Sequence, residues 1–295
     1  MTDRMKLLIA YDGSECADAA IDGLLRAGLP EEAEAFILTV SEMGLAVPPP
    51  SIGMVETSFS SAIQDATEEA LRIAQTGLDR VKTLFPRWDV TAEGRFGSPG
   101  REILEKAVEF NADLIVIGSH GRSAVGRLVF GSVSTQVVTQ AHCSVHVVRP
   151  GKAAVTDPVK LVIGIDGSKG SEIAVETVAT RRWPAGTEVH LVTSAGPFDL
   201  YGVAYDEKMS FASKLQAMAR KRLEEAGLQT ISVIMEGGPK EVLMEEAEQI
   251  GADCVFVGSR NLSRFDRWLL GSVSTAVTTR AHCTVEVVRK HGSEE

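Results

Sequence analysis

The chain repeats itself, and this constrains its fold more than any other feature. KLLIAYDGS at 6–14 is echoed by KLVIGIDGS at 160–168, and ADLIVIGS at 112–119 by ADCVFVGS at 252–259. GSVST at 131–135 returns unchanged at 271–275, and AHCSV at 141–145 returns as AHCTV at 281–285. Four matched pairs in one order mean two copies of one unit. The offset is 154 between Asp12 and Asp166 but 140 between Gly118 and Gly258, so the first copy holds a net 14 extra residues between those landmarks. The Pro-rich stretch 43–58, with three consecutive prolines at 48–50, reads as the loop that holds them. The segment 150–158 is bracketed by prolines and lacks apolar periodicity. This places one domain at 1–150, a second at 158–295 and a linker at 151–157. A total of 295 residues suits two domains of that size, each large enough for its own core.

Within each copy, short apolar runs alternate with helix-patterned segments. In the first copy 7–10, 35–40, 90–93, 114–117 and 145–148 read as strands, several of them apolar throughout, as in a parallel sheet covered on both faces. Ile63, Ala66, Ala70, Ala74, Leu78, Val81 and Phe85 share one helical face. Ser98-Pro99 reads as an N-cap with proline in the first turn, matched by Gly238-Pro239. Strand–helix alternation with right-handed crossovers implies a doubly wound α/β layer structure, once per copy.

A net charge of −10 and a pI near 5.2 repel a phosphate backbone, which argues against generic nucleic-acid binding. The opening apolar run at 7–10 is too short for a signal-peptide core, and no apolar stretch reaches the roughly 20 residues that cross a bilayer. Four scattered cysteines, with no Cys-x-x-Cys, suit a reducing compartment and a cytoplasmic location.

In an open parallel sheet a ligand binds beyond the carboxyl ends of the strands. Asp12 follows the first strand and Gly118 the fourth. From Gly118 the sequence runs Gly-Ser-His-Gly, then nine residues, then Gly131-Ser132 ahead of a helix-compatible stretch. Gly118 and Gly121 permit tight turning and close backbone approach. Gly131 and Ser132 sit where free N–H groups and the helix dipole favour a phosphate. From spacing alone this is an anion site, or else only a glycine-shaped strand–loop–helix connection. There is no Walker A loop and no Gly-x-Gly-x-x-Gly after a strand.

The pattern Gly-x-x-Gly, nine residues, Gly-Ser, with the Asp-Gly-Ser turns at 12–14 and 166–168, resembles the universal stress protein family. The likeness covers both copies apart from the Pro-rich loop and the terminal tail. It implies strand order 3-2-1-4-5 in each domain, with the final strands pairing across a pseudo-two-fold axis inside one chain. It implies binding of ATP, or of ADP or AMP, with Mg²⁺ carried on the phosphates. Asp12 and Val40 would lie near the nucleoside, bordered by Ile117 and Gly118; His120, Gly121, Gly131, Ser132, Val133 and Ser134 would line the phosphates. The second copy, with Asp166, Gly258, Arg260, Asn261, Gly271, Ser272, Val273 and Ser274, puts Asn where the second glycine belongs. Binding in the second copy is expected to be weaker, altered or absent, with Arg260, Arg264 and Arg267 as partly compensating anion partners.

Other residues invite sharper readings. His142-Cys143 and His282-Cys283 suggest a metal, but neighbours on a strand point to opposite faces, so packing at the start of the last strand is favoured. His120 fits a phosphate-binding role better than a general base, and Cys16 a packed helix start. His146 and Glu286 occupy matched positions in the two last strands; if these pair antiparallel, their opposite polarity favours intramolecular pairing.

The function expected is that of an ATP-binding stress-response regulator without dedicated catalysis, in which occupancy of the first domain orders the 121–134 loop for a protein partner of unknown identity. Homodimers of the tandem chain are expected as an option. The alternative is a nucleotide-independent scaffold. An adenylyl-transfer enzyme is disfavoured, since neither His-x-Gly-His nor Ser-Gly-Gly-x-Asp occurs.

Overall fold

The computed structural model describes residues 4–42, 55–121, 130–149, 157–195, 205–259 and 270–290. The first half runs β1 (Met5–Ala10), α1 (Glu15–Gly23), a short 3-10 turn (Leu24–Arg26), β2 (Ala33–Ser41), α2 (Val55–Leu84), β3 (Asp89–Phe96), α3 (Pro99–Phe110), β4 (Leu114–Gly118), α4 (Ser132–Gln140) and β5 (Ser144–Val148). The second half repeats it: β6 (Lys160–Gly164), α5 (Lys169–Thr180), β7 (Glu188–Ser194), α6 (Tyr205–Glu225), β8 (Gln229–Met235), α7 (Pro239–Ile250), β9 (Cys254–Gly258), α8 (Ser272–Arg280) and β10 (Thr284–Val288).

The ten strands form one sheet in the order β3-β2-β1-β4-β5-β10-β9-β6-β7-β8. Each half has the expected 3-2-1-4-5 order with every pairing parallel, and the halves join through an antiparallel β5–β10 seam. Val145, Val147, Val285 and Val287 are fully buried at this seam and belong to one apolar core that runs across both halves beneath α3, α4, α7 and α8. On the opposite face each half keeps a core of its own, under α1 and α2 in one and α5 and α6 in the other. Complete burial of such side chains contributes about 1.5–3 kcal/mol each, so the shared core is what welds the halves together.

One local expectation is corrected. The extra length of the first half is mainly helix rather than loop: α2 begins at Val55, inside the stretch read as loop, and has 30 residues where α6 has 21. The Ile63–Phe85 periodicity was strong enough to mark the helix, but the prolines nearby masked its start. As expected, Ser98 is the N-cap of α3 and Pro99 stands in its first turn, although the Ser98 side chain makes no cap hydrogen bond. Phe85 falls just past α2 and stacks on Trp88 at 4.1 Å between ring centroids.

The pairing of His146 with Glu286 is in register across the seam, with Nδ1 to Oε2 at 2.9 Å. Sequence reading missed the third member: Arg181, just after α5, donates to Glu286 Oε1 at 2.5 Å and Oε2 at 2.8 Å.

Candidate functional site

The first-half site is built at the carboxyl ends of β1 and β4. Asp12 leaves β1 and its Oδ1 accepts from Ser14 N at 3.0 Å and Ser14 Oγ at 2.6 Å, while Ser14 Oγ accepts from Ala17 N at 3.1 Å as the N-cap of α1. The Asp-Gly-Ser repeat is therefore a side-chain-closed turn that starts a helix and aims a half-buried carboxylate off the sheet edge. Its other oxygen faces Gly121: a Cβ built there would lie 2.6 Å from Asp12 Oδ2. Any side chain at 121 would therefore have to displace the Asp12 carboxylate from its place on the Ser14 turn.

Gly118 closes β4, where a Cβ would come within 3.1 Å of Cys16 Sγ. The loop end is pinned at three points. Ser134 Oγ donates to Gly118 O at 2.8 Å, Gly131 N donates to Ser119 O at 3.0 Å, and Ser119 Oγ meets His120 Nδ1 at 2.9 Å. Gly131 is the N-cap of α4 without a side-chain cap, so the first-turn N–H groups of Ser132, Val133 and Ser134 have no capping side chain. The Ser134 hydroxyl and the Gly131 N–H are committed to holding the loop. Val40, near the end of β2, and Ile117, buried in β4, flank this edge from the sheet. The nine-residue stretch between the paired glycines lies largely outside the described residues.

The second half places Asp166, Gly258, Gly271, Val273 and Ser274 around one cavity of about 510 Å³. Asp166 Oδ1 accepts from Ser168 N at 2.9 Å. Burial opposes its charge, but the Ser168 hydrogen bonds outweigh this and hold its carboxyl below the ordinary range. Ser274 Oγ donates to Gly258 O at 2.7 Å, repeating the Ser134 lock. Ser272 opens α8 on its exposed side. Arg260, Asn261, Arg264 and Arg267 lie outside the described residues. Thr193, Phe211, Leu215, Pro239 and Leu243 also line this cavity and were not found from sequence. Their signal was weak: each reads as an ordinary strand or helix residue until α6 and α7 are packed.

Among the described residues no group of three or more His, Cys, Asp or Glu side chains is arranged to hold a metal. Burial pushes the Cys143 thiol up to about 12 and the Cys283 thiol to about 11, which opposes the thiolate a metal needs. No helix of the described residues is long and apolar enough to cross a membrane.

The model of the universal stress protein family matches residues 4–149 and again 159–289. The chain belongs to that family. It is 31% identical to a universal stress protein of Mycobacterium tuberculosis over 215 residues, covering 68% of this chain and 69% of that protein. A universal stress protein of Mycolicibacterium smegmatis is 27% identical over 291 residues, covering 96% of each chain. The crystal structure of a universal stress protein from Archaeoglobus fulgidus superimposes with a TM-score of 0.70 at 20% identity, covering 97% of this chain and 98% of that one, which extends the likeness of fold to the whole tandem arrangement.

Proposed function

We propose that this universal stress protein is a regulatory protein that holds an adenine nucleotide, mainly in its first half, and acts through a protein partner rather than by dedicated catalysis. The two domains are taken as 1–150 and 158–295, joined by 151–157. The observation that carries the reading is the convergence of the Asp12 carboxylate, Gly121 and the uncapped first turn of α4 at the carboxyl edge of β1 and β4. Asp12 and Val40 would orient the nucleoside, with Ile117 and Gly118 beneath it. His120, Gly121 and the N–H groups of Ser132, Val133 and Ser134 would receive the phosphates. Gly131 would keep that approach open, since a side chain there has room in the free protein but would stand between α4 and the ligand: a Cβ meets nothing closer than 3.5 Å. The nucleotide brings the phosphate charge, and Mg²⁺ would travel on it.

The formed cavity at Asp166 supports a second, more apolar ligand position walled by Phe211 and Leu243. Four unpaired cysteines fit a reducing, cytoplasmic setting. Titration calorimetry with Mg-ATP on the nucleotide-stripped chain, beside Gly131→Leu and Phe211→Ala, tests the proposal. One site lost in Gly131→Leu and kept in Phe211→Ala is the expected result. No binding to the folded parent chain would favour the nucleotide-independent scaffold.

A further inference from the structure

The Asp166 cavity of the second half carries one full charge with nothing in its wall to balance it. Among the described residues that line its space of about 510 Å³, Asp166 is the only charged one. Its carboxyl lies below the ordinary range, so it is ionised at neutral pH, and it stands exposed at the rim. Its Oδ1 accepts from Ser168 N at 2.9 Å, and no Lys, Arg or His of the described residues pairs with it.

The rest of the wall offers little to an anion. Ser171 Oγ donates to Ser168 O at 2.9 Å, Ser194 Oγ to Gly237 O at 2.6 Å and Ser274 Oγ to Gly258 O at 2.7 Å, so these hydroxyl protons serve the fold. The uncapped first turn of α8 also borders the space, but a helix end carries about half a unit of positive charge against the whole negative charge of the carboxylate. The remaining surface is apolar. Leu243 and Val257 are buried at the base, whereas Phe211 is 62% exposed on the wall. A large aromatic left open beside a cavity is a surface for a ligand to cover, and its ring face attracts positive charge.

We propose that the Asp166 cavity is a binding site for a small organic cation, in which an ammonium group donates to Asp166 and an apolar body lies against Phe211 and Leu243. A neutral ligand over the rim would strip water from the carboxylate and leave its charge unpaired, and an anion would meet like charge. The proposal names a ligand class for the second position inferred above and rests on that position, but not on the nucleotide reading of the first half.

The test uses the full chain and three probes of nearly one shape, followed by fluorine NMR at pH 7. 4-Fluorobenzylamine is the cation, 4-fluorobenzyl alcohol the neutral donor and 4-fluorobenzoate the anion. The amine is expected to bind saturably and the alcohol about ten-fold more weakly, the gap between a charge-assisted and a neutral hydrogen bond, while the benzoate does not saturate. Asp166→Asn keeps the shape of the side chain and its acceptor for Ser168 N; it should bring the amine down to the affinity of the alcohol and leave the alcohol unchanged. Phe211→Ala, at an exposed position, should weaken amine and alcohol alike. No saturable binding of any probe would overturn the second position and the proposal with it, whatever calorimetry shows for Mg-ATP. An amine that binds no tighter than the alcohol, a benzoate that binds as well as the amine, or undiminished amine binding in either folded variant would overturn the cation reading alone. Should Asp166→Asn not fold, the ranking of the probes and Phe211→Ala decide.

Discussion

Replacing Arg181 by Met should convert the seam from an asset into a liability, in a way that reverses with pH. Glu286 is completely buried between His146 and Arg181, whose side chain is itself 7% exposed. Burial drives its carboxyl upward, but the guanidinium and the His146 hydrogen bond overcome this and hold it at about 2 against an ordinary 4.5. A group depressed in this way stabilises the fold at pH above its unfolded value and loses that contribution as pH falls from about 4.5 toward 2. By linkage the contribution is on the order of 3 kcal/mol. Met at 181 removes the charge partner while the carboxylate stays buried, a change that typically costs about 3–5 kcal/mol. In the variant only His146 still opposes burial, so the carboxyl rises from its depressed value and acidification relieves the penalty. Urea denaturation across pH 7 to 3 should therefore show the parent losing stability and Arg181→Met gaining on it. The loss of the bond from Arg181 Nη1 to Ala27 O, at 3.2 Å, leaves a pH-independent residue of about 1 kcal/mol. The triple variant Arg181→Met, Glu286→Leu, His146→Phe should return to within about 2 kcal/mol of the parent, since it removes every polar member at once. A cost below about 1 kcal/mol at pH 7, or the same cost at pH 7 and pH 3, would refute this reasoning.

Two further outcomes follow from packing. Gly258→Ala places a Cβ 2.3 Å from the Gly170 carbonyl carbon, backbone against backbone, so it should cost about 1–3 kcal/mol or more in a urea melt and distort the Asp166 cavity. Glu246→Leu leaves the buried His190, whose Nδ1 lies 2.5 Å from Glu246 Oε1, without its partner and should cost about 1–3 kcal/mol; adding His190→Phe should recover part of it.

The fold was legible because the repeat and the apolar strand runs are both local signals. The seam was half legible. His146 and Glu286 stand out by occupying equivalent places in matched strands, whereas Arg181 lies 105 residues from Glu286 and belongs to no motif. The same holds at the Asp166 cavity: the Asp-Gly-Ser turn and Gly-Ser helix start announce themselves, while Phe211 and Leu243 come from helices whose orientation only tertiary packing sets. In the second half His190 and Glu246 stand where the first half has Phe36 and Lys106, with the Lys106 ammonium 3.9 Å from the Phe36 ring centroid. A buried His–Glu hydrogen bond and a cation–π pair solve the same helix-on-strand contact, and neither is visible until the strand and helix are paired.

Fusion of the two copies into one chain is what makes these differences sustainable. In a symmetric pair of identical domains, the residue at the centre of an antiparallel seam faces itself, so His would meet His and Glu would meet Glu. Covalent linkage removes that constraint, and a complementary pair becomes available at a fully buried position. Much of the seam nevertheless stays symmetric. Arg149 reaches the Cys283 and Thr278 carbonyls at the end of α8, and Arg289 reaches the Cys143 and Val138 carbonyls at the end of α4. Each half thus supplies a cation to the other's helix C-terminus, where the dipole favours it. Because both arms cross the seam, neither helix end is completed by its own half. The asymmetric centre selects the unlike partner, and the symmetric arms make that partner necessary. The strand-edge sites, at the carboxyl ends of the strands, are then free to diverge, as the close approach of Asp12 to Gly121 in one half and the open cavity beside Phe211 and Leu243 in the other show.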